Sequence, residues 1–288
     1  MKKGLLFLTG LLLLAFFEEG AFSMGSKHLI PMKTYPVTDI KDGEYLRYGY
    51  YNGGEKVMDY YYVTRIVTNE TGGIYYKLYM DIISVSGNKK LPKKYSDWPI
   101  SALIDPVRAQ TIEAEGNLNT NDMNDPSFSS FGFSGMFYFH YQLYRDKGYV
   151  KYLSKSLQSK SIQTTSYTIN VKPGFPLMDA FSQDFISDRL IDPRSPGIMY
   201  WVIPNFMKEP LQFTFKIEKK ETISVKAGTF KANKVIIYTG DPFLRKLAEP
   251  FLKNSCVMVE DSDRRLPLKT QVQGYDEVLE EISNVVIY

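Results

Sequence analysis

Strict alternation is the feature that constrains this chain most. Leu211, Phe213, Phe215 and Ile217 are apolar, and the residues between and after them, Gln212, Thr214, Lys216 and Glu218, are polar. A period of two puts successive side chains on opposite faces of an extended strand; a helix cannot separate such a set. The stretch Glu221 to Val235, E-T-I-S-V-K-A-G-T-F-K-A-N-K-V, continues the theme. Ile223 and Val225 alternate with Thr222, Ser224 and Lys226, Ala227-Gly228 interrupts, and Phe230, Ala232 and Lys234 resume the period. This predicts a β-hairpin running on through Tyr238, with Gly228 at its connection, where a residue lacking Cβ can take φ > 0.

The same reading repeats along the chain. Leu46, Tyr48 and Tyr50 alternate up to the turn signal Asn52-Gly53-Gly54. Met58, Tyr60, Tyr62, Thr64 and Ile66 follow, then a turn at Asn69 to Gly73, then Ile74, Tyr76, Leu78, Met80 and Ile82. These three segments predict an antiparallel meander. Phe137, Phe139, Tyr141 and Leu143 form a further strand, Arg145 to Gly148 a turn, and Tyr149 to Leu153 and Gln163 to Val171 two more strands. Met199 to Ile203 reads as a short strand. Val257 and Val259, a turn at Asp261 to Arg264, and Leu266, Leu268, Thr270 and Val272 make another hairpin. Val278 to Tyr288 is the last strand.

Helical signals are few. Leu177, Phe181 and Phe185 recur at i+4 within Pro176 to Asp192, which predicts a helix there. A second short helix is expected after Asp241-Pro242, and a helical turn within Pro99 to Ala109 with Asp105-Pro106 at its start. Glu113 to Ser130, rich in Asn, Asp, Ser and Gly, reads as a long surface loop. The fold class expected is mainly β: a large curved antiparallel sheet or open half-barrel with two or three short helices.

The N-terminus reads as a targeting segment. Lys2-Lys3 precedes an apolar run from Gly4 to Phe17, and Ala21-Phe22-Ser23 has the small-x-small pattern of a cleavage site. The run is shorter than the roughly 20 residues of a membrane span, and a retained anchor is the alternative. The chain is expected to divide into a signal peptide over 1–23, an extended N-terminal tail over 24–42 and a single β-rich domain over 43–288. No Cys follows the apolar run before Cys256, which argues against lipidation at a mature N-terminal Cys.

Beyond the alternation itself, Glu221-Thr222, Val225, Ala227-Gly228-Thr229-Phe230, Ala232 and Lys234-Val235 carry a resemblance. They resemble the signature of uncharacterised exported β-proteins of Gram-negative bacteria, filed as domains of unknown function. The resemblance is clearest from Gly197 to Gly274. It implies an architecture similar to the curved open half-barrels of the lipoprotein-carrier superfamily, and it implies no catalytic residues.

Chemistry-bearing clusters are scarce. The net charge of +3 is too small to suggest a nucleic-acid partner. His28 falls in the tail, and His140, between Phe139 and Tyr141, has no second His or Cys placed beside it, which favours a structural role. Gly132-Phe133-Ser134-Gly135 is one residue short of a nucleophile elbow. Asn121, Asp122, Asn124 and Asp125 lack the spacing, the Gly and the closing Glu of a calcium loop. Cys256 leads into Val257, Met258 and Val259 and reads as a packing residue. No catalytic residue, metal ligand or cofactor is expected.

What rises above background is aromatic content, with 22 Tyr and 18 Phe. Tyr60, Tyr62, Tyr76, Phe137, Phe139, Tyr141, Phe213 and Phe215 share the inward parity of their strands, so they line either a packed core or a cavity for an acyl chain. The function expected is that of a periplasmic cell-envelope protein, not an enzyme, that binds or carries an apolar ligand: a lipid or a lipidated partner such as a lipoprotein. Two alternatives remain open. One is a structural or adaptor module that pairs with another envelope protein through an edge strand. The other, less favoured because the Pro-rich block from Pro173 to Pro210 does not suit spanning strands, is an outer-membrane barrel.

Overall fold

In a computed structural model, the described residues are 29–35, 39–84, 92–119, 136–157, 164–179, 181–202, 210–239, 255–272 and 275–285. The expected signal peptide over 1–23, His28, the second helix after Asp241 and the Gly132 to Gly135 turn lie outside them, as does the Asn-Asp run beyond Asn119.

The chain is mainly β. Its strands are β1 (Glu44–Asn52), β2 (Glu55–Thr68), β3 (Ile74–Ser84), β4 (Ile100–Asp105), β5 (Gln110–Asn119), β6 (Met136–Tyr144), β7 (Tyr149–Ser156), β8 (Thr164–Asn170), β9 (Leu177–Asp179), β10 (Met199–Val202), β11 (Leu211–Val225), β12 (Gly228–Thr239), β13 (Cys256–Glu260), β14 (Pro267–Val272) and β15 (Tyr275–Asn284). They hydrogen-bond in the order β4-β3-β2-β1-β15-β14-β13-β12-β11-β10-β9-β5, and β5 returns to β4, so twelve strands form a barrel-like ring. Strands β6, β7 and β8 branch from β5 as a three-stranded wing.

The large curved antiparallel sheet is therefore present, and its two ends meet. They meet at a thin seam, in which β9 runs parallel to β10 over three residue pairs and touches β5 through the single pair Gln110–Leu177. Elsewhere the ladders are antiparallel; β10 and β11 share three pairs, and β11 and β12 pair from Phe213–Thr239 to Val225–Gly228. A bulge after Ile217 shifts that register, a device that bends a strand and increases its twist.

Parity builds the core. Phe213 and Phe215 are 6% exposed, with Lys216 turned to solvent. Leu78, Met80, Ile100, Ile104, Phe139, Tyr141 and Tyr152, each at most 4% exposed, join them in one cluster. A second cluster gathers Leu46, Tyr48, Leu268 and Leu279. Residues 29–35 pack onto this frame: Pro31 bridges Ile198, Thr34 bridges Ile191, and Met32 is buried.

Three local expectations need correction. The helix expected over Pro176 to Asp192 is cut to a single wide, π-type turn, Phe185–Leu190. Leu177 and Met178 lie in β9 instead, held by Leu177 N–H to Ala109 O (2.9 Å) and Tyr200 N–H to Pro176 O (2.9 Å); tertiary pairing overrides the local i+4 pattern. The helical turn within Pro99 to Ala109 is strand β4 followed by a tight turn, in which the Asp105 carboxylate accepts from the Val107 and Arg108 N–H groups. The surface loop expected from Glu113 is strand β5 as far as Asn119. Its inward positions are the small Ala114 and Gly116, which do not register as a hydrophobic stripe.

Gly228 is where the hairpin needs a glycine. Lys226-Ala227 is the two-residue turn, and Gly228, paired with Val225, has φ +146°. A Cβ there would sit 3.3 Å from the Phe230 ring.

Candidate functional site: the barrel interior and its plug

Asp179 ends β9 and redirects the chain inward. Its carboxylate accepts from the N–H groups of Phe181 and Ser182 and from the Ser182 hydroxyl, which stops the strand and starts the turn. The Ser182 hydroxyl also meets the Thr111 hydroxyl of β5 at 2.6 Å. Residues 181–191 then pack against the inner face of the ring as a plug, with Ile186, Leu190 and Ile191 fully buried.

The plug seats its aromatics on the predicted aromatic face. Phe181 stacks on Phe139 with centroids 4.2 Å apart, and Phe185 meets Tyr76 edge-on at 5.6 Å. Of the eight aromatic residues expected to share one concave face, Tyr76, Phe137, Phe139, Tyr141, Phe213 and Phe215 lie in the main cluster, all at most 7% exposed, with Tyr62 packed at its margin. Tyr60 sits against the second cluster beside Leu46 and Tyr48. His140 stands apart, half-buried on the opposite face of β6, its Nε2 2.9 Å from Glu113 Oε1. Cys256 is buried, and burial pushes its thiol up, away from the thiolate a nucleophile needs.

Charge locks the plug at one end. The fully buried Arg189 donates to the Glu44 carboxylate of β1 at 2.5 Å and to Arg264 O at 3.1 Å. Arg265 donates to the backbone carbonyls of Asp188 and Ile191, both at 2.9 Å. These bonds satisfy carbonyls at the end of the helical turn that have no helical partner.

A second polar group was not visible in the sequence. Asp184 and Asp188 of the plug face Glu277 of β15, with Tyr48 and Tyr62 beside them. Burial raises the Asp184 carboxyl to about 6, opposed by a hydrogen bond from the Tyr62 hydroxyl at 3.4 Å. Burial and then Asp184 push Asp188 well up; burial, Asp184 and Asp188 do the same to Glu277. Carboxyls crowded in this way hold their protons to higher pH than free ones, because desolvation and like charge both oppose ionisation. Among the described residues no three His, Cys, Asp or Glu side chains meet with metal-binding geometry. The available signal was parity: Tyr275, Glu277 and Leu279 alternate inward on β15, and Asp184 and Asp188 are spaced i, i+4. The acidic surroundings of Glu277, Y-D-E-V-L-E-E, hid it.

Neither the family models nor the curated proteins give a match to this chain. Among solved structures, the chain is similar to a β-barrel-like protein of the domain of unknown function DUF1849 from Brucella abortus, at TM-score 0.43 and 6% identity, covering 89% of this chain and 100% of that one. It is also similar to a protein with YmcC-like fold, named for export, from Bacteroides fragilis (TM-score 0.34, 11% identity, 88% and 100% covered). A third is a protein named as a lipoprotein from Parabacteroides distasonis (TM-score 0.34, 14% identity, 88% and 100% covered).

Proposed function

We propose that this chain is an exported, non-enzymatic binding protein of the cell envelope whose interior takes an apolar ligand, a lipid or the lipid of a lipidated partner, in competition with its own plug. The observation that carries this reading is the seating of Phe181 and Phe185 on the inward aromatic face: two apolar side chains of one short segment occupy the surface an acyl chain would cover. The thin seam at β9 lies directly before the plug, so displacing the plug disturbs few ladder bonds. Export is read from Lys2-Lys3, the apolar run and Ala21-Phe22-Ser23.

The charge on the outer wall speaks against a barrel embedded in lipid. Arg47–Glu281, Lys234–Glu218 and Lys269–Asp276 form ion pairs on the strands, where a membrane barrel carries an apolar band. A second reading has its own observation: among the described residues β8 closes the wing with one edge unpaired, the surface an adaptor uses to add a partner's strand.

Fluorescent fatty-acid binding separates the two. Phe181→Ala weakens the plug and is expected to raise fatty-acid affinity several-fold. Phe215→Ala, in the packed wall, is expected to cost about 3–5 kcal/mol in chemical denaturation. Absence of fatty-acid binding by wild type and Phe181→Ala alike removes the carrier reading and leaves the adaptor.

A further inference from the structure

A cleft of about 350 Å³ opens on the outer wall, over β3 to β6. Parity makes its floor. Tyr79 on β3, Ser101 on β4, Glu115 and Asn117 on β5 and Tyr138 on β6 are the outward partners of the core residues Leu78, Ala102, Ala114 and Phe139. Register then sets them side by side: Tyr79 opposite Ser101, Ser101 opposite Glu115, Asn117 opposite Tyr138.

The segment from Tyr95 to Trp98 forms the far side. Trp98 is 6% exposed and packs with Tyr45 and Val63, which anchors the segment to the barrel. Tyr95 is half-buried, its ring centroid 4.6 Å from that of Tyr79, with the Arg65 guanidinium 4.8 Å above it. Gly116 lets this segment lie so close. A Cβ there would come within 2.6 Å of the Pro99 carbonyl, which accepts from Asn117 N–H at 2.8 Å. The cleft is thus walled by packed residues and by a backbone contact that only glycine permits.

Its chemistry alternates. Half-buried phenol rings at Tyr79, Tyr95 and Tyr138 stand among a carboxylate, an amide, two serine hydroxyls and the Lys77 ammonium. An acyl chain laid here would strand those polar groups without partners, at a cost for each. A phosphate would meet the Glu115 carboxylate beside its one lysine. A pyranose matches both features, since its axial C–H groups make an apolar face for a ring to cover and its hydroxyls are donors and acceptors around the rim. The Tyr138 hydroxyl donates to Glu115 Oε2 at 3.2 Å, which orients the carboxylate. The volume sits near the lower end of the roughly 300–1,000 Å³ of small-molecule sites.

We infer that the outer cleft between the Tyr95–Trp98 segment and strands β3–β6 is a saccharide-binding site for one or two pyranose rings, with Tyr138 as the ring platform, the edge of Tyr95 as a side wall, and Glu115 and Asn117 as hydroxyl partners. The site shares no residue with the barrel interior, so it stands or falls apart from lipid binding there.

The chain has two tryptophans, and the other, Trp201, lies against Phe213 at 5.5 Å. Trp201→Phe therefore leaves Trp98 as the sole tryptophan reporter. This variant is titrated with gluco-, manno- and galacto-configured disaccharides and with the disaccharide of N-acetylglucosamine, and wild type is run in parallel by calorimetry. At least one sugar is expected to change Trp98 emission saturably. Tyr138→Ala is expected to weaken that sugar roughly tenfold, the loss of one aromatic contact, with little change in denaturation midpoint, and Tyr95→Ala to weaken it by less. Should Tyr95→Ala fail to fold, Tyr138→Ala on the opposite side carries the test. No saturable response to any panel sugar, or affinity unchanged in both tyrosine variants, overturns the assignment. Competition between a bound sugar and a fatty acid would place both in one site and overturn it as well.

Discussion

Glu277 and Glu280 stand three positions apart on β15 and carry the same carboxyl group into opposite surroundings. Glu277, opposite Tyr50 on the inward face, looks at Asp184 and Asp188. Burial and these two acids keep its pKa well up. Glu280 falls at the bulge in the β1–β15 ladder and turns outward. Burial alone would raise it too, but Lys226 Nζ at 2.6 Å, Lys56 Nζ at 2.7 Å and the Tyr51 hydroxyl bring it down to about 2. Depth within the protein therefore does not set the charge of a carboxyl here; the sign of its neighbours does. Three positions along a strand of period two put the two carboxyls on opposite faces, and that is enough to exchange their neighbours.

Removing the satisfied acid tests the comparison most severely. The Glu280 side chain is 1% exposed, and Lys226, Lys56 and Arg47 converge on it. Glu280→Ala removes the acceptor these cations share, leaving Lys56 with Asp59 and Arg47 with Glu281, and is expected to cost about 3 kcal/mol in urea unfolding at pH 7, the low end for a broken buried pair because the cations keep other partners or reach water. Lys226→Ala, at a more exposed position, is expected to cost under about 1 kcal/mol. Equal losses from the two would mean that Lys226 alone holds Glu280.

The next test acts at a distance. Lys226 reaches Glu280 because the β11–β12 turn folds back to β15, with Ala227 N–H 3.4 Å from Leu279 O. Gly228→Val forces a side chain onto φ +146° and against the Phe230 ring, and is expected to cost about 1–3 kcal/mol. If it acts through the displaced tip, combining it with Glu280→Gln gives less than the sum of the two losses. An unchanged melting temperature in Gly228→Val would show that the turn tolerates the side chain and that the lysine finds Glu280 regardless.

How much of this was legible in the sequence depends on how local the cause is. The hairpin from Leu211 to Tyr238 was readable because alternation, turn glycine and burial all agree over consecutive residues. The meander from Leu46 to Ile82 was readable for the same reason. β9 was not: Leu177 and Met178 fit a helix locally, and only pairing with Tyr200 and Gln110, distant in sequence, makes them a strand. β5 was missed because Ala114 and Gly116 fill an inward face without looking hydrophobic. The aromatic face was legible as a parity, but that Phe181 and Phe185 would cover it was not, since nothing local tells a surface helix from a plug. The carboxyl group of Asp184, Asp188 and Glu277 joins two segments about 90 residues apart in sequence and has no local signature at all.

The last test concerns those acids, and its sign is the opposite of that at Glu280. A carboxyl raised in the folded state binds a proton that the unfolded chain has already released. Stability conferred by the protonated form is thus intact below about pH 4, the unfolded value, and declines as pH climbs through Asp184's value of about 6 and on through the higher values of its two neighbours. Glu280, lowered to about 2, stabilises above its unfolded value of 4.5 and loses that contribution as pH falls toward 2. Wild type should therefore be most stable near about pH 4.5, where Glu280 is ionised and the inward acids have not yet begun to release their protons. Glu277→Gln keeps the shape and removes one titrating member of the inward group. At pH 5 its melting temperature should match wild type closely. At pH 8 it should exceed wild type by about 2–4 °C, the shift for roughly 1 kcal/mol in a chain of this size. Glu280→Gln should behave in reverse, costing stability at pH 8 and little near pH 2. A Glu277→Gln shift that is the same at pH 5 and pH 8 would mean that Glu277 does not titrate with the plug acids, and the contrast along β15 would then rest on Glu280 alone.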